Sequence, residues 1–204
     1  PGTSWDDGDD GLDLDYNALN IPDDYPDPSE PLHVFLNQKD LEWHTLQAFE
    51  QVVNISGGEI TSLDASTAID IPTGTLDSST TFTFIPQPAP IYDTGSLSFA
   101  NNSFQLSAED ASGEPVTVFD PPMVVTIYYL DEDIIGIAEQ LLGLYYWDSA
   151  TSAWVDAVTT CPDGVYTRDL DGNSFSLPVC HLTEFAVLST PIYTTLLPLV
   201  QVNR

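Results

Sequence analysis

Short runs in which apolar and polar residues alternate fill most of this chain, broken at close intervals by Gly, Pro, Asn and Asp. EITSLDASTAIDIP (59–72) and STTFTFIPQP (79–88) are rich in Thr, Ile and Phe, and the turn-like TGTLDS separates them. SLSFANNSFQLSAED, VTVFDPPMVVTIYYL and LGLYYWDSATSAWVDA continue the pattern. A period of two with β-branched and aromatic residues, punctuated this often, predicts an all-β, antiparallel sandwich. LHVFLNQ (32–38) also alternates and reads as a strand, with a short helical stretch expected around KDLEWH after it. DEDIIGIAEQLLG has room for one helical turn. Pro72, Pro86 and Pro88 belong at strand ends or edges, where a missing N–H costs little. Tyr128-Tyr129 and Tyr145-Tyr146-Trp147 should each divide between core and surface.

The texture differs at both ends. Residues 1–30 form an acidic, Pro- and Asp-rich arm with ten acidic residues and no base. Alone in water such a segment is extended and mobile, so order there requires the domain, a cation or a neighbour to pin it. Residues 31–189 carry the sandwich, and residues 190–204 form a C-terminal apolar strand. In that strand Ile192, Leu196, Val200 and Val202 share one face, while Leu197 and Leu199 lie on the other. A strand apolar on both faces needs a partner on each side, and one way to find them is to add to a sheet in the next molecule as a donor strand. Residues 185–202 carry no charge, but Pro191, Pro198 and several Thr make them a poor membrane helix, and no membrane span is expected.

Charge narrows the function. The chain of 204 residues has 32 acidic side chains against Lys39, Arg168 and Arg204, a net charge of −29. Binding to nucleic acid or to an anionic membrane is thereby disfavoured. Such a surface suits a secreted or cell-surface protein in a cation-rich medium. The chain opens at Pro1 without an initiator Met, which fits removal of an export signal or trimming of the chain. Its two cysteines, Cys161 and Cys180, suggest one disulfide and an oxidising compartment, the alternative being two buried free thiols. Sequons occur at Asn54 and Asn101. Asp6, Asp7, Asp9 and Asp10 supply the density of hard oxygen donors that Ca2+ prefers, and Asp169 and Asp171 form a second candidate calcium turn. His33, His44 and His181 are too scattered to suggest zinc, and no phosphate loop, dinucleotide fingerprint or nucleophile elbow is present.

The stretch CHLTEFAVL, residues 180–188, reads as the last strand of the sandwich, anchored by Cys180. Together with YYWD (145–148), Trp154 and Cys161 it resembles the autoproteolysis motif that closes the GAIN domain of adhesion receptors. Upstream, GGEITSLDASTAIDIPTGTL followed by STTFTFIP is similar to the opening of the ZU-type β-sandwich of ankyrins and netrin receptors, a domain also found in secreted bacterial surface proteins. The two resemblances cover residues 56–188. The first implies self-cleavage: Thr183 as nucleophile, Leu182–Thr183 as the scissile bond and His181 as the base. Two of the usual four cysteines are present, and Glu184 follows the nucleophile where the family has a small residue. A carboxylate there is expected to raise the His181 pKa.

Three functions follow as expectations. The leading one is an exported structural protein without turnover chemistry, a subunit of an extracellular filament or surface layer made of copies of itself through terminal-strand exchange. The second is a self-cleaving module. The third is a carbohydrate-binding adhesin using the Tyr–Trp strands as an aromatic platform.

Overall fold

A computed structural model describes residues 14–16, 19, 21, 25–39 and 43–190. The sandwich has two antiparallel sheets. The six-stranded sheet A contains β1 (Phe49–Val53), β4 (Thr80–Gln87), β5 (Ser98–Asp110), β7 (Leu142–Asp148), β8 (Ala153–Asp156) and β11 (Glu184–Ser189). Its order is β1-β4-β5-β11-β7-β8. Sheet B contains β2 (Gly58–Thr61), β3 (Thr67–Ile71), β6 (Val118–Tyr128), β9 (Thr167–Asp169) and β10 (Ser174–His181), ordered β2-β3-β6-β10-β9.

The alternation in the sequence is the alternation between core and surface. Met123, Val125 and Ile127 of β6 and Phe175, Leu177 and Val179 of β10 are buried from sheet B. On the inner face of sheet A, Phe rings form a row across four neighbouring strands. Phe49 stacks on Phe84 with centroids 5.5 Å apart, Phe84 on Phe104 at 4.9 Å, and Phe104 meets Phe185 at 5.4 Å. Phe185 in turn stands opposite Tyr146 in the β11–β7 register. The tyrosine pair also divides as expected, Tyr128 exposed and Tyr129 buried. Pro86 lies past the last β1–β4 pair, Phe49–Phe84, so β1 demands no N–H from it.

Positive φ recurs along the chain, and at one turn and one bulge it shapes the sheets. Gly57 ends the β1–β2 turn, where the chain passes from sheet A to sheet B, with φ +78°, and a Cβ there would come within 2.1 Å of the Ile71 carbonyl oxygen. Asn101 has φ 54° inside β5, where the register with β11 slips between Ala186 and Leu188. That slip is a bulge on the β5 side, since four residue steps of β5 face two of β11.

The strand expected at residues 32–38 is instead part of α1 (Pro31–Lys39), a helix. Seven residues are too few to separate a period of two from one of 3.6. The burial decides: His33 is buried, Leu36 and Asn37 three and four positions on are half-buried, and Leu32, Val34 and Phe35 face solvent. Pro at the first helical position favours the same outcome. The helix belongs to a small aromatic cluster ahead of the sandwich. Trp43 is buried and its indole N–H donates to the Tyr25 hydroxyl at 2.9 Å, while the Tyr25 hydroxyl donates to Asn37 Oδ1. The Asp27 N–H donates to His33 Nδ1 at 3.1 Å. Residues 43–46 form a turn, and a 3-10 turn at Glu139–Leu141 is the helical turn expected in that stretch.

The described parts of the acidic arm are pinned by the chain's own domain. Gln47, almost fully buried, accepts the Leu19 N–H at 2.8 Å and donates to the Leu14 carbonyl at 2.9 Å. The Tyr16 N–H donates to the Leu46 carbonyl at 3.1 Å. Among the described residues, no helix is long and apolar enough to cross a membrane.

Candidate functional site

Residues 180–188 do not form one strand. Cys180 and His181 end β10 in sheet B, Leu182 and Thr183 cross between the sheets, and Glu184–Ser189 make β11 in sheet A. The segment is therefore a corner of the sandwich, and β11 is an interior strand, paired with β5 on one side and β7 on the other. All six residues of β11 are buried. An apolar run without alternation is the pattern of a strand covered on both faces. Phe185 and Val187 face the core. Over the other face lies the β4–β5 connection, residues 88–97. Its Ile91 N–H donates to Glu184 Oε1 at 2.9 Å. Its Tyr92 stacks on Trp147, and the Trp154 indole N–H reaches the Tyr92 carbonyl at 3.4 Å.

The disulfide is formed between Cys161 and Cys180, with Cα atoms 5.2 Å apart. Cys161 follows the 3-10 turn Ala157–Thr160 after β8, so the bond ties the far edge of sheet A to the end of β10 in sheet B. Thr160 supports the joint, its hydroxyl accepting the Cys180 N–H at 3.3 Å.

At the corner itself, His181 presents its ring to the edge of Tyr146, centroids 4.7 Å apart at 85°. Burial lowers its pKa, against opposing effects from a hydrogen bond to the Leu182 backbone and from the Asp148 carboxylate. The expectation that Glu184 raises the His181 pKa is thus corrected. The net shift is downward, and the Glu184 carboxylate faces the Ile91 N–H instead. Leu182 packs against the core. The Thr183 hydroxyl donates to the Trp147 carbonyl at 3.4 Å, and the Thr183 carbonyl accepts the Leu106 N–H at 3.2 Å. Thr183 is therefore held by both neighbours of β11, and the Leu182–Thr183 bond sits where the ladder of sheet A begins.

Glu184 is a feature that the motif alone concealed. Its carboxylate is buried, with its pKa raised by that burial against the opposing Ile91 N–H. It borders an open pocket of about 300 Å³ beside Leu182 and Thr183. An acid directly heading an uncharged run of apolar residues was the signal available in the sequence; the covering connection was not visible there.

The remaining candidates are dispersed. Asn54 is exposed in the β1–β2 turn, where its Oδ1 accepts the Ser56 N–H at 2.9 Å. Asn101 is exposed at the bulge, and its Nδ2 donates to Asp133 Oδ1 at 2.9 Å. Asp169 curls over its own turn, accepting the Gly172 N–H at 3.0 Å, and Asp171 is exposed beside it. Among the described residues, no group of three or more His, Cys, Asp or Glu is placed to hold a metal ion. Asp6, Asp7, Asp9 and Asp10, and the tail residues Ile192, Leu196, Leu197, Leu199, Val200 and Val202, lie outside the described residues. The aromatic strands are self-engaged: Tyr92 covers a face of Trp147, and Trp154 meets the same ring edge-on at 5.6 Å. No protein-family model matches the chain, and no curated protein matches it in sequence.

Proposed function

We propose that the protein is a structural subunit of an extracellular assembly, a filament or surface layer, built from copies of itself through exchange of the apolar segment 190–204. The observation that carries this reading is the attachment of that segment. It continues directly from β11, an interior strand with a partner along each side. A pull along β11 loads the ladders on both sides in shear, so many hydrogen bonds resist together. At the other end of β11 the chain turns one corner and meets the Cys161–Cys180 bond. A segment that holds a neighbour needs such an anchorage in its own subunit. The disulfide and the acidic surface are compatible with life outside the cell, and calcium held by the Asp6–Asp10 run would offset the charge repulsion. The resemblance to ZU-type domains of secreted surface proteins points the same way. Sedimentation velocity and electron microscopy of the full chain over rising concentration, with and without Ca2+, test the reading. Concentration-dependent polymers are expected; a monomer under every condition overturns it.

A second reading is self-cleavage, favoured by the place of the His181 ring. It directly precedes Leu182, the residue before the bond that would break, and the Leu182 backbone is near enough to oppose the fall of its pKa. Burial keeps the ring in the neutral form that a base requires. The products would part after Leu182, which an intact-mass measurement detects directly.

A further inference from the structure

Sheet A has a gap beside β5. β11 pairs with β5 up to Glu184–Gln105, and Thr183 adds one more hydrogen bond to Leu106. Farther along the same side of β5, the chain turns back and its returning segment pairs there, with the Val116 N–H donating to the Ala108 carbonyl at 2.9 Å. Between these two segments the row is interrupted, because both leave for sheet B, where Val118 pairs with His181. The space between them is the pocket of about 300 Å³. Leu182, Thr183 and Glu184 form one bank, and Pro115, Val116 and Thr117 form the other. Leu106 also lines it.

An incoming strand cannot enter this row, because the chain itself closes both ends. A single side chain can. The walls are largely apolar and one buried carboxylate stands at the edge, so the matching side chain has a long apolar stem and a cationic head. The chain has three bases. Arg168 is already engaged, donating to the Leu142 carbonyl at 2.6 Å with its guanidinium over the Tyr166 ring. Lys39 belongs to α1. Arg204 is the single charge in the twenty residues from Phe185 onward. These residues also leave the sheet at the far end of β11 from Glu184, about 17 Å away at the rise of an extended strand. Arg204 lies fourteen residues beyond position 190, a reach of up to roughly 48 Å when extended.

We propose that this gap is a docking socket for Arg204 of a second copy, with Glu184 receiving the guanidinium and Leu182 and Val116 flanking its stem. The proposal rests on the assembly reading and supplies its point of contact. It gives copies of net charge −29 a specific attraction that is shielded from solvent, while salt screens their surface repulsion. Assembly should therefore strengthen as salt is added.

The test uses the full chain. Arg204→Lys keeps the charge and provides an amine. Unlabelled and 15N-labelled copies are mixed, treated with a zero-length carbodiimide and digested for mass spectrometry. A cross-link joining Glu184 of one copy to position 204 of a differently labelled copy is expected; the same link found only within single copies overturns the proposal. In parallel, Glu184→Gln and Arg204→Gln should each weaken assembly by about 30-fold or more, as loss of one partner from a buried charge pair does. Near-ultraviolet circular dichroism establishes that both variants are folded. Polymers that form equally well in both variants overturn the socket and leave the assembly reading standing. A wild-type chain that stays monomeric overturns both.

Discussion

Tyr92 lies face to face on Trp147, with ring centroids 4.0 Å apart and planes 7° from parallel. The contact fastens residues 88–97 across the outer face of sheet A, at the place where Glu184 accepts the Ile91 N–H. Two rings that would suit a sugar platform if bare are here a clasp. Tyr92→Ala should cost about 1 kcal/mol, the typical worth of such a pair beyond its buried area. In a domain of this size that lowers Tm by about 2–4 °C. Hydrogen exchange should accelerate at Ile91 and along residues 88–97 while β6 and β10 stay protected. Uniform acceleration throughout both sheets would show that the contact is not a local clasp.

Glu184 makes a prediction of opposite sign. Burial raises its folded-state pKa above the unfolded value. Between the two values the folded state binds more protons, so stability falls as pH rises through that window and stays lower above it. Glu184→Gln removes the charge and keeps an oxygen for the Ile91 N–H. It should raise Tm at pH 7 by about 2–4 °C, corresponding to roughly 1 kcal/mol. The difference from wild type should vanish in acid, where Glu184 is protonated. A variant less stable than wild type at pH 7 would show that the carboxylate is better compensated than its burial implies.

The sandwich was legible because its strands bury one face each, as in β6, where Met123, Val125 and Ile127 alternate with more exposed neighbours. The cysteine pairing was legible from number and spacing. Two things were not. A seven-residue alternation at 32–38 fits either period, and only the packing around Trp43 and Tyr25 makes it a helix. The corner at Leu182–Thr183 was hidden because β10 and β11 are joined by only two residues. No glycine or proline marks the change of sheet, and nothing local tells residues 88–97 to cover Glu184.

Reducing the Cys161–Cys180 bond should cost about 3 kcal/mol, the chain-entropy value for a loop near its sequence separation of 19. The effect should also be regional. The bond joins the end of β10 to the turn after β8, so exchange at β7–β8 and at Cys180–Leu182 should rise before that of β2–β3. Denaturant melts of oxidised and Cys161→Ser/Cys180→Ser protein measure the first expectation, and residue-resolved exchange the second. Equal midpoints for the two proteins would contradict both.

His181 links the stability of the corner to its chemistry. Burial depresses its folded-state pKa below the ordinary value of 6.5. In the window between the depressed value and 6.5 the unfolded state binds more protons, so stability drops as pH falls through it and the loss is complete below it. His181→Gln should flatten this part of the curve. Since other acidic groups titrate near the same range, the informative quantity is the wild-type minus variant difference, which should open below about pH 6.5. The same residue separates the two functional readings. If the corner cleaves itself, Thr183→Ala and His181→Gln both abolish a break after Leu182, and the wild-type yield of cleaved chain increases with pH as the ring loses its proton. If the corner is structural, each of the three proteins keeps the mass of its own uncleaved chain at every pH, and His181 acts only through its contact with Tyr146 and the resulting acid sensitivity. The Thr183 hydroxyl, turned to the Trp147 carbonyl rather than to the ring, favours the structural outcome.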